Sequence, residues 1–539
     1  MARRHLALFA VMLALGCGPV VEGSAVDSGD TESSADGACN LGALDCACTP
    51  GGACDPGLVC EHGICATEGA ESGDEGSGED CGTEGCACTP GSCDSGFMCS
   101  AGVCVALCGN GALDAGEQCD DADGIDGNGC DNDCTRTEIL QIDAGAEHTC
   151  ALIEGGRLRC WGGGSYGKLG YGNTENIGDN ETPASAGDLV LPLAIESIAL
   201  GGFHSCGRFV DGQVRCWGQN DFGQLGYGDT ESVGDDETLA ELAAVELGGT
   251  PLAVSVDEYH ACARLEGAKL RCWGVGFNGR LGLGGAGGLG NYVGDDELPS
   301  AAPLVFVGAT PTAAVAGRRH SCALTSDGQA RCWGAASRGQ LGYGGTDQIG
   351  DNEPPSDAGD IDLYPPTVAG TVSQLALGGE HSCALFSSGE VVCWGRNNRG
   401  QLGQGHGEDW GDGEGEHPAG LEPIALGGPA VAIAAGDRHN CALLGTGDVR
   451  CWGANNYGQL GLGMAGNVGD DELPTAVATV ELGDHAIMIT AGQEHSCALL
   501  EGYELLCWGR NSDGRLGYAN TQTIGDDESP TAAGAVDLL

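Results

Sequence analysis

Fourteen cysteines between residues 150 and 507 fall into seven pairs, each pair ten residues apart: Cys150 and Cys160, Cys206 and Cys216, Cys262 and Cys272, Cys322 and Cys332, Cys383 and Cys393, Cys441 and Cys451, Cys497 and Cys507. A histidine stands two residues before the first cysteine of every pair, and Trp-Gly follows every second one. Thiol and imidazole at a fixed spacing can ligate a metal or, for the thiols alone, form disulfides. Zinc does not fit. No Cys-x-x-Cys occurs, and seven isolated Cys/His units spread around a repeat cannot converge on one tetrahedral site. The steps between first cysteines are 56, 56, 60, 61, 58 and 56 residues, the mark of a repeat architecture.

The element that must hold each pair is a β-hairpin. Between Cys206 and Cys216 lie two short arms around Asp211-Gly212, a three-residue loop whose last position needs φ > 0. Gly156, Gly212, Gly328, Gly389 and Gly447 take that position, whereas units three and seven shift the glycine by one, to Gly267 and Gly502. Counting outward from the loop pairs 209 with 213 and 206 with 216. With a hydrogen-bonded closing pair, the cysteines face each other at a non-hydrogen-bonded position, where side chains approach closely. One disulfide within each hairpin is the expectation, each contributing roughly 2–3 kcal/mol through loop-closure entropy.

The chain begins with Ala2-Arg3-Arg4-His5 and a mostly apolar run from Leu6 to Leu15, read as an export signal over residues 1–16, too short to span a bilayer. Leu13-Ala14-Leu15-Gly16-Cys17 resembles a bacterial lipoprotein signal, which implies lipidation at Cys17, with simple secretion as the alternative. Removing Cys17 from 31 cysteines leaves an even 30, as a disulfide framework in an oxidising compartment requires. Residues 17–38 and 66–80 are acidic linkers rich in Ser, Gly, Asp and Glu. Residues 39–65 and 81–107 are two six-cysteine modules, each carrying Cys-Ala-Cys-Thr-Pro-Gly, and too small for a hydrophobic core. Residues 108–134 form a four-cysteine module that resembles a short repeat of secreted bacterial surface proteins. Connectivity within 39–134 stays open.

From 139 to 539, seven units of abundant glycine and short β runs read as an all-β, seven-bladed β-propeller. Each Trp-Gly is followed by a second phrase, Gly223-Gln-Leu-Gly-Tyr-Gly228 in unit two, and then by Val233-Gly-Asp-Asp-Glu237. With the His-x-Cys-Ala-Leu arm and Cys-Trp-Gly, this resembles the RCC1 (regulator of chromosome condensation 1) repeat. The resemblance implies four-stranded blades. The family's eukaryotic founder exchanges guanine nucleotide and binds chromatin; other members bind proteins, and some inhibit enzymes. Paired cysteines and Gly-Asp-Asp/Asn-Glu depart from the nuclear type and place the chain beside secreted bacterial members.

Charge excludes a nucleic-acid partner: 22 basic against 78 acidic residues give −56, and a surface this acidic repels a phosphate backbone. Gly163-Gly-Ser165-Tyr-Gly167 fits Gly-x-Ser-x-Gly, but aligned positions hold Asp221, Phe277, Ser337, Asn398, Asn456 and Ser512, which marks a loop position rather than a nucleophile elbow. The seven histidines and seven Trp-Gly tryptophans read as hydrogen-bonded and packing residues between blades. Trp410 stands where aligned units have Ile177 and Val233, and longer units insert Gly284 to Tyr292 and Asp357 to Pro366. Tyr292, Tyr364 and Trp410 are therefore the candidate partner-binding residues. Asp235, Asp236 and Glu237 are weak Ca²⁺ candidates, with capping of their own turn favoured; no other cofactor is expected. The reading is a monomeric surface protein that binds a protein or cell-surface ligand and touches the membrane only through a lipid. A Ca²⁺- or glycan-dependent adhesin and a secreted enzyme inhibitor are the alternatives, and no enzymatic activity is expected. Finally, Ala535-Val536-Asp537-Leu538-Leu539 is expected to pair into the blade of Cys150 and Cys160 and close the ring.

Overall fold

The structure is a computed structural model. It describes residues 58–61, 64–67, 97–100, 103–106, 119, 129–131, 134–285 and 292–539. Cys17, both acidic linkers and most of the three cysteine modules lie outside the described residues. The chain divides into two compact units, Met1–Cys81 and Gly82–Leu539. In the first, Leu58–Glu61 pairs antiparallel with Ile64–Thr67, placing Cys60 opposite Cys65. In the second, Phe97–Ser100 pairs with Val103–Ala106, Cys99 opposite Cys104. Cys119 is bonded to Cys130.

Seven antiparallel sheets follow, one per repeat, and the chain is an all-β propeller. In blade 2 the inner strand is Ile195–Leu200, the middle His204–Phe209 and the outer Val214–Gly218. Successive inner strands touch around a closed ring, the seventh (Ala486–Ala491) against the first (Ile139–Ala144). The hairpin register is the one the loop chemistry demands: Phe209 N–H donates to the Gln213 carbonyl, and Cys206 faces Cys216. The seven disulfides form within blades with Cα separations of 4.0–4.1 Å. All fourteen of these cysteines are buried. Units three and seven keep the same loop length despite the shifted glycine. Ala268 and Tyr503 take the last, left-handed position, each at φ 61°, and in unit three Gly267 is left-handed too, at φ 76°. Strand pairing on both sides over-determines the turn and absorbs a backbone cost of about 1 kcal/mol.

Blades are joined by one recurring seam. Each Trp-Gly tryptophan is buried, and in blades 2 to 7 its Nε1 donates to a backbone carbonyl of the preceding blade; Trp217 reaches Lys168 at 3.1 Å. Ser205 of the His-Ser-Cys phrase donates to the same carbonyl at 3.0 Å. The buried histidine of the preceding blade then bonds that hydroxyl, His148 Nε2 to Ser205 Oγ at 2.9 Å. The pattern repeats for His260–Ser321, His320–Ser382, His381–Asn440, His439–Ser496 and, closing the ring, His495–Thr149, all at 2.8–2.9 Å. Asn440 fixes the tautomer. Its Nδ2 donates to Gln401, so its Oδ1 is the acceptor and His381 donates through Nε2–H. Two seams are incomplete: Trp161 Nε1 of blade 1 is buried without a partner, and blade 3 has Ala261 where the others have a polar residue, so that both ring nitrogens of His204 are buried without a partner.

Two expectations are corrected. Six of the seven blades are not four-stranded. Beyond the outer strand, six blades keep a single bridge, such as Gly218 to Val233, and among the described residues only blade 3 has a two-residue fourth strand, Tyr292–Val293. In blades 1, 2, 4 and 7 the hydroxyl of Tyr171, Tyr227, Tyr343 or Tyr518 accepts the N–H of the second cysteine, satisfying the edge that a fourth strand would cover. The C-terminal segment does not pair into the first blade. Val536 N–H donates to the Leu505 carbonyl, the outer strand of blade 7, just as Leu189 donates to Leu158 in blade 1. Each apolar return segment is nearest its own blade's edge, so blade 1 already has its own. The segment still touches blade 1, where Ala184 N–H and the Arg159 guanidinium donate to Asp537 and Leu538 carbonyls.

Candidate functional site: an aromatic and arginine-rich face

Each histidine pairs with the glycine after tryptophan, as His204 with Gly218. The turn before the histidine and the loop after Trp-Gly therefore emerge on the same face. At this face the inner-strand ends of all seven blades line a small cavity at the channel mouth. These ends approach closely: a Cβ at Gly145 would stand 2.2 Å from the Gly201 carbonyl. Blade 3 alone has a non-glycine there, Asp257, whose carboxyl is pushed up to about 7, chiefly by burial.

The residue just before each histidine sorts by side: Glu147, Phe203, Tyr259, Arg319, Glu380, Arg438 and Glu494. Blades 1 to 3 form an aromatic arc. Tyr166 meets Phe203 edge-on at 6.2 Å, Phe203 meets Tyr259 at 6.0 Å, and Tyr259 meets Phe222 at 5.8 Å. Phe222 then stacks on Tyr292 at 5.6 Å, and Tyr292 meets Phe277 at 5.5 Å. Tyr166 and Phe277 at the two ends are each 42% exposed. Large, rigid aromatic side chains bury much area at low entropic cost, which makes them anchors of protein interfaces.

Blades 4 to 6 place arginines beside the arc. Arg318, Arg319, Arg396 and Arg438 line a polar cavity of 180 Å³ together with Glu380 and Asp437. Arg318 crosses the channel mouth from blade 4 to Asp437 of blade 6 at 3.1 Å and also pairs with Glu258 of blade 3. Arginine and aromatics together are what interfaces concentrate.

Of the residues singled out from sequence, Tyr292 joins the arc. Tyr364 donates to the Gly328 carbonyl of its own blade and meets Phe386 edge-on at 5.6 Å. Trp410 takes the bridge position opposite Gly395, and its Nε1 donates to His417 at 3.0 Å. Both are half-buried with their polar atoms satisfied inside the blade. Ser165 accepts from Lys168 Nζ at 2.7 Å, and the same ammonium donates to Glu147 at 3.2 Å, so the hydroxyl faces a cation rather than a base. Asp235, Asp236 and Glu237 bring carboxylate oxygens within 4.8 Å of one another, as do three other loops, while Glu237 caps its turn through the Gly234 N–H at 3.0 Å. The arc's Tyr166, Phe203, Phe222, Tyr259 and Phe277, and the four arginines, escaped sequence reading. For Phe203, Tyr259, Arg319 and Arg438 the signal was the position before each histidine, where aromatic, basic and acidic residues differ by blade.

Comparison with known proteins agrees with this architecture. The regulator of chromosome condensation (RCC1) repeat matches residues 139–168, 195–224, 312–340, 372–401, 430–459 and 489–515, that is, every blade but the third. A second form of the repeat matches 388–443 and 446–499. The chain is 30% identical over 387 residues to the ultraviolet-B receptor UVR8 of Arabidopsis thaliana, covering 71% of this chain and 80% of that protein. It is 32% identical over 331 residues to the mitochondrial RCC1 domain-containing protein RUG3 of the same plant, covering 60% and 67%. The human E3 ubiquitin-protein ligase HERC2 is 27% identical, but the match spans 7% of its length. Among solved structures, human WBSCR16 has a TM-score of 0.53 at 20% identity, covering 68% of this chain and 89% of that one. Prp20p of Saccharomyces cerevisiae, described with its binding to Gsp1p and histones, has 0.52 at 20% identity, covering 73% and 88%. The chain belongs to the RCC1 repeat family.

Proposed function

We propose that this propeller is an exported interaction module that captures a protein partner on its aromatic and arginine-rich face. The observation that carries the reading is the unbroken arc from Tyr166 to Phe277 beside four arginines, on a chain whose formal charge is −56. Seven buried disulfides suit an oxidising compartment, and among the described residues no helix is long and apolar enough to cross a membrane. Attachment through a lipid on Cys17 completes the proposal; a palmitate analogue should label the wild type and not Cys17→Ala.

The face is tested with the full chain as bait in a cross-linking capture from cell-surface and secreted fractions. Tyr166→Ser with Phe277→Ser removes the exposed ends of the arc and leaves the seams intact. A partner recovered by the wild type should disappear from this variant. Equal recovery would show that the partner docks elsewhere.

A further inference from the structure

The arginines are arranged as two short ladders. Arg319 and Arg396 share Glu380, the first at 3.0 Å. Arg318 and Arg438 share Asp437 at 3.1 and 3.2 Å, and Arg318 reaches Glu258 beyond it. Four guanidiniums thus face three carboxylates, in a chain with 22 basic and 78 acidic residues. The carboxylates lie low, with side chains 10–15% exposed, whereas Arg319 and Arg438 stand above them at 50% and 41%. Each of these two uses one donor on its carboxylate, out of five that a guanidinium carries. The low-lying acids hold the forks in place, and the four guanidiniums line a 180 Å³ cavity. That is a pre-ordered receptor for a planar oxyanion.

We propose that this cavity is an anion subsite that receives carboxylates of an acidic polypeptide segment, whose apolar side chains lie along the aromatic arc. The inference rests on the interaction reading above and names the chemistry of its partner. The acidic surround sharpens the choice. Beyond about 8 Å, salt screens the protein's field. An acidic segment therefore meets repulsion at close range over most of the surface and attraction at this mouth. A second copy of the chain is a poorer occupant, because it would bring another −56 against the first.

The test uses fluorescence anisotropy with the full chain and three labelled eight-residue peptides, in which Tyr alternates with Glu, Gln or Lys. The Glu peptide should bind at least tenfold tighter than the Gln peptide. In Arg319→Gln with Arg438→Gln, both exposed positions, the two should become equal. Tyr166→Ser with Phe277→Ser should weaken both by the same factor. The anion subsite is overturned if the Gln or Lys peptide binds as tightly as Glu, if the preference survives loss of the arginines, or if no peptide binds. A wild type that binds the Glu and Gln peptides equally, or a preference that survives in the arginine variant, with dependence on Tyr166 and Phe277 retained, leaves the interaction face standing and removes the subsite alone. Independence from Tyr166 and Phe277, in both the peptides and the capture, removes the face. Sedimentation showing a dimer that Arg319→Gln with Arg438→Gln dissociates would put a second copy in the cavity and overturn the inference.

Discussion

Replacing Ala261 by serine should make the protein more stable, against the usual direction of core substitutions. In six seams a histidine Nε2–H reaches a hydroxyl or amide oxygen of the next blade at 2.8–2.9 Å, and only His204 has none. His204 is fully buried, so the orphaned donor costs about 1–3 kcal/mol of lost hydration. A serine hydroxyl at 261 would accept from it. It would also donate to the Gln224 carbonyl, which takes Trp273 Nε1 at 3.0 Å, the double acceptance already seen at Lys168 from Ser205 and Trp217. No new unsatisfied group is created. The expected gain is about 1–2 kcal/mol, a rise of a few degrees in Tm for a domain of this size. Ser321→Ala is the mirror experiment: it orphans His260 and should cost about 1–3 kcal/mol. Urea unfolding and differential scanning calorimetry read both. If Ser321→Ala destabilises while Ala261→Ser gains nothing, His204 is already satisfied by water or by movement of the seam. If both are silent, the histidine belt contributes no stability and the account of the seams is wrong.

The same belt sets the acid limit. Burial holds all seven histidines below their ordinary value, His204, His320 and His439 at about 3. Below pH 6.5 the unfolded chain therefore binds more protons, and stability is lost as pH falls, by up to about 1.4 kcal/mol per group per pH unit. The carboxyls of Asp143, Asp257, Glu297 and Glu472, raised to about 6 to 7, and those of Glu154, Glu181, Glu237, Asp412 and Glu528, also raised, act in the opposite direction as pH falls. The histidine share is read by substitution: between pH 6.5 and 4.5 the wild type should lose more stability than His439→Gln, which removes one buried imidazole, and equal slopes would contradict its burial as the neutral form. Ala268→Gly should stabilise by about 0.5–1 kcal/mol in chemical denaturation, because it relieves a left-handed alanine, whereas Ala263→Gly in the paired strand should destabilise. Deleting 534–539 removes buried Val536 and Leu538, worth roughly 3–6 kcal/mol. Limited proteolysis should then cut blades 7 and 1 first; an unchanged melting curve would show that closure rests on the other contacts between blades 7 and 1, the His495–Thr149 seam among them.

What the sequence alone determined is everything with a local cause or a period. Turn chemistry between Cys206 and Cys216 settled the hairpin register, and the register brought the thiols together. Seven copies made the propeller legible, since a blade cannot bury its faces without neighbours. The charge of −56 sets the expectation that a nucleic acid is not the partner. Tertiary structure decided what depends on contacts between blades. Trp410 looked like an exposed anchor because its type differs from Ile177 and Val233, yet its site is the same bridge, and a bridge position packs into the blade whatever occupies it. Tyr171 and Tyr227 read as part of a loop phrase, and only packing shows them standing in for a fourth strand. The segment from Ala535 to Leu539 could not be placed from pattern, because a five-residue segment matches every blade edge equally; only proximity chose Leu505 for Val536. Phe203, Tyr259, Arg319 and Arg438 are single substitutions at one repeat position, some 56 to 61 residues apart from blade to blade. Closing the ring is what turns that one-dimensional alternation into an aromatic arc facing an arginine cavity.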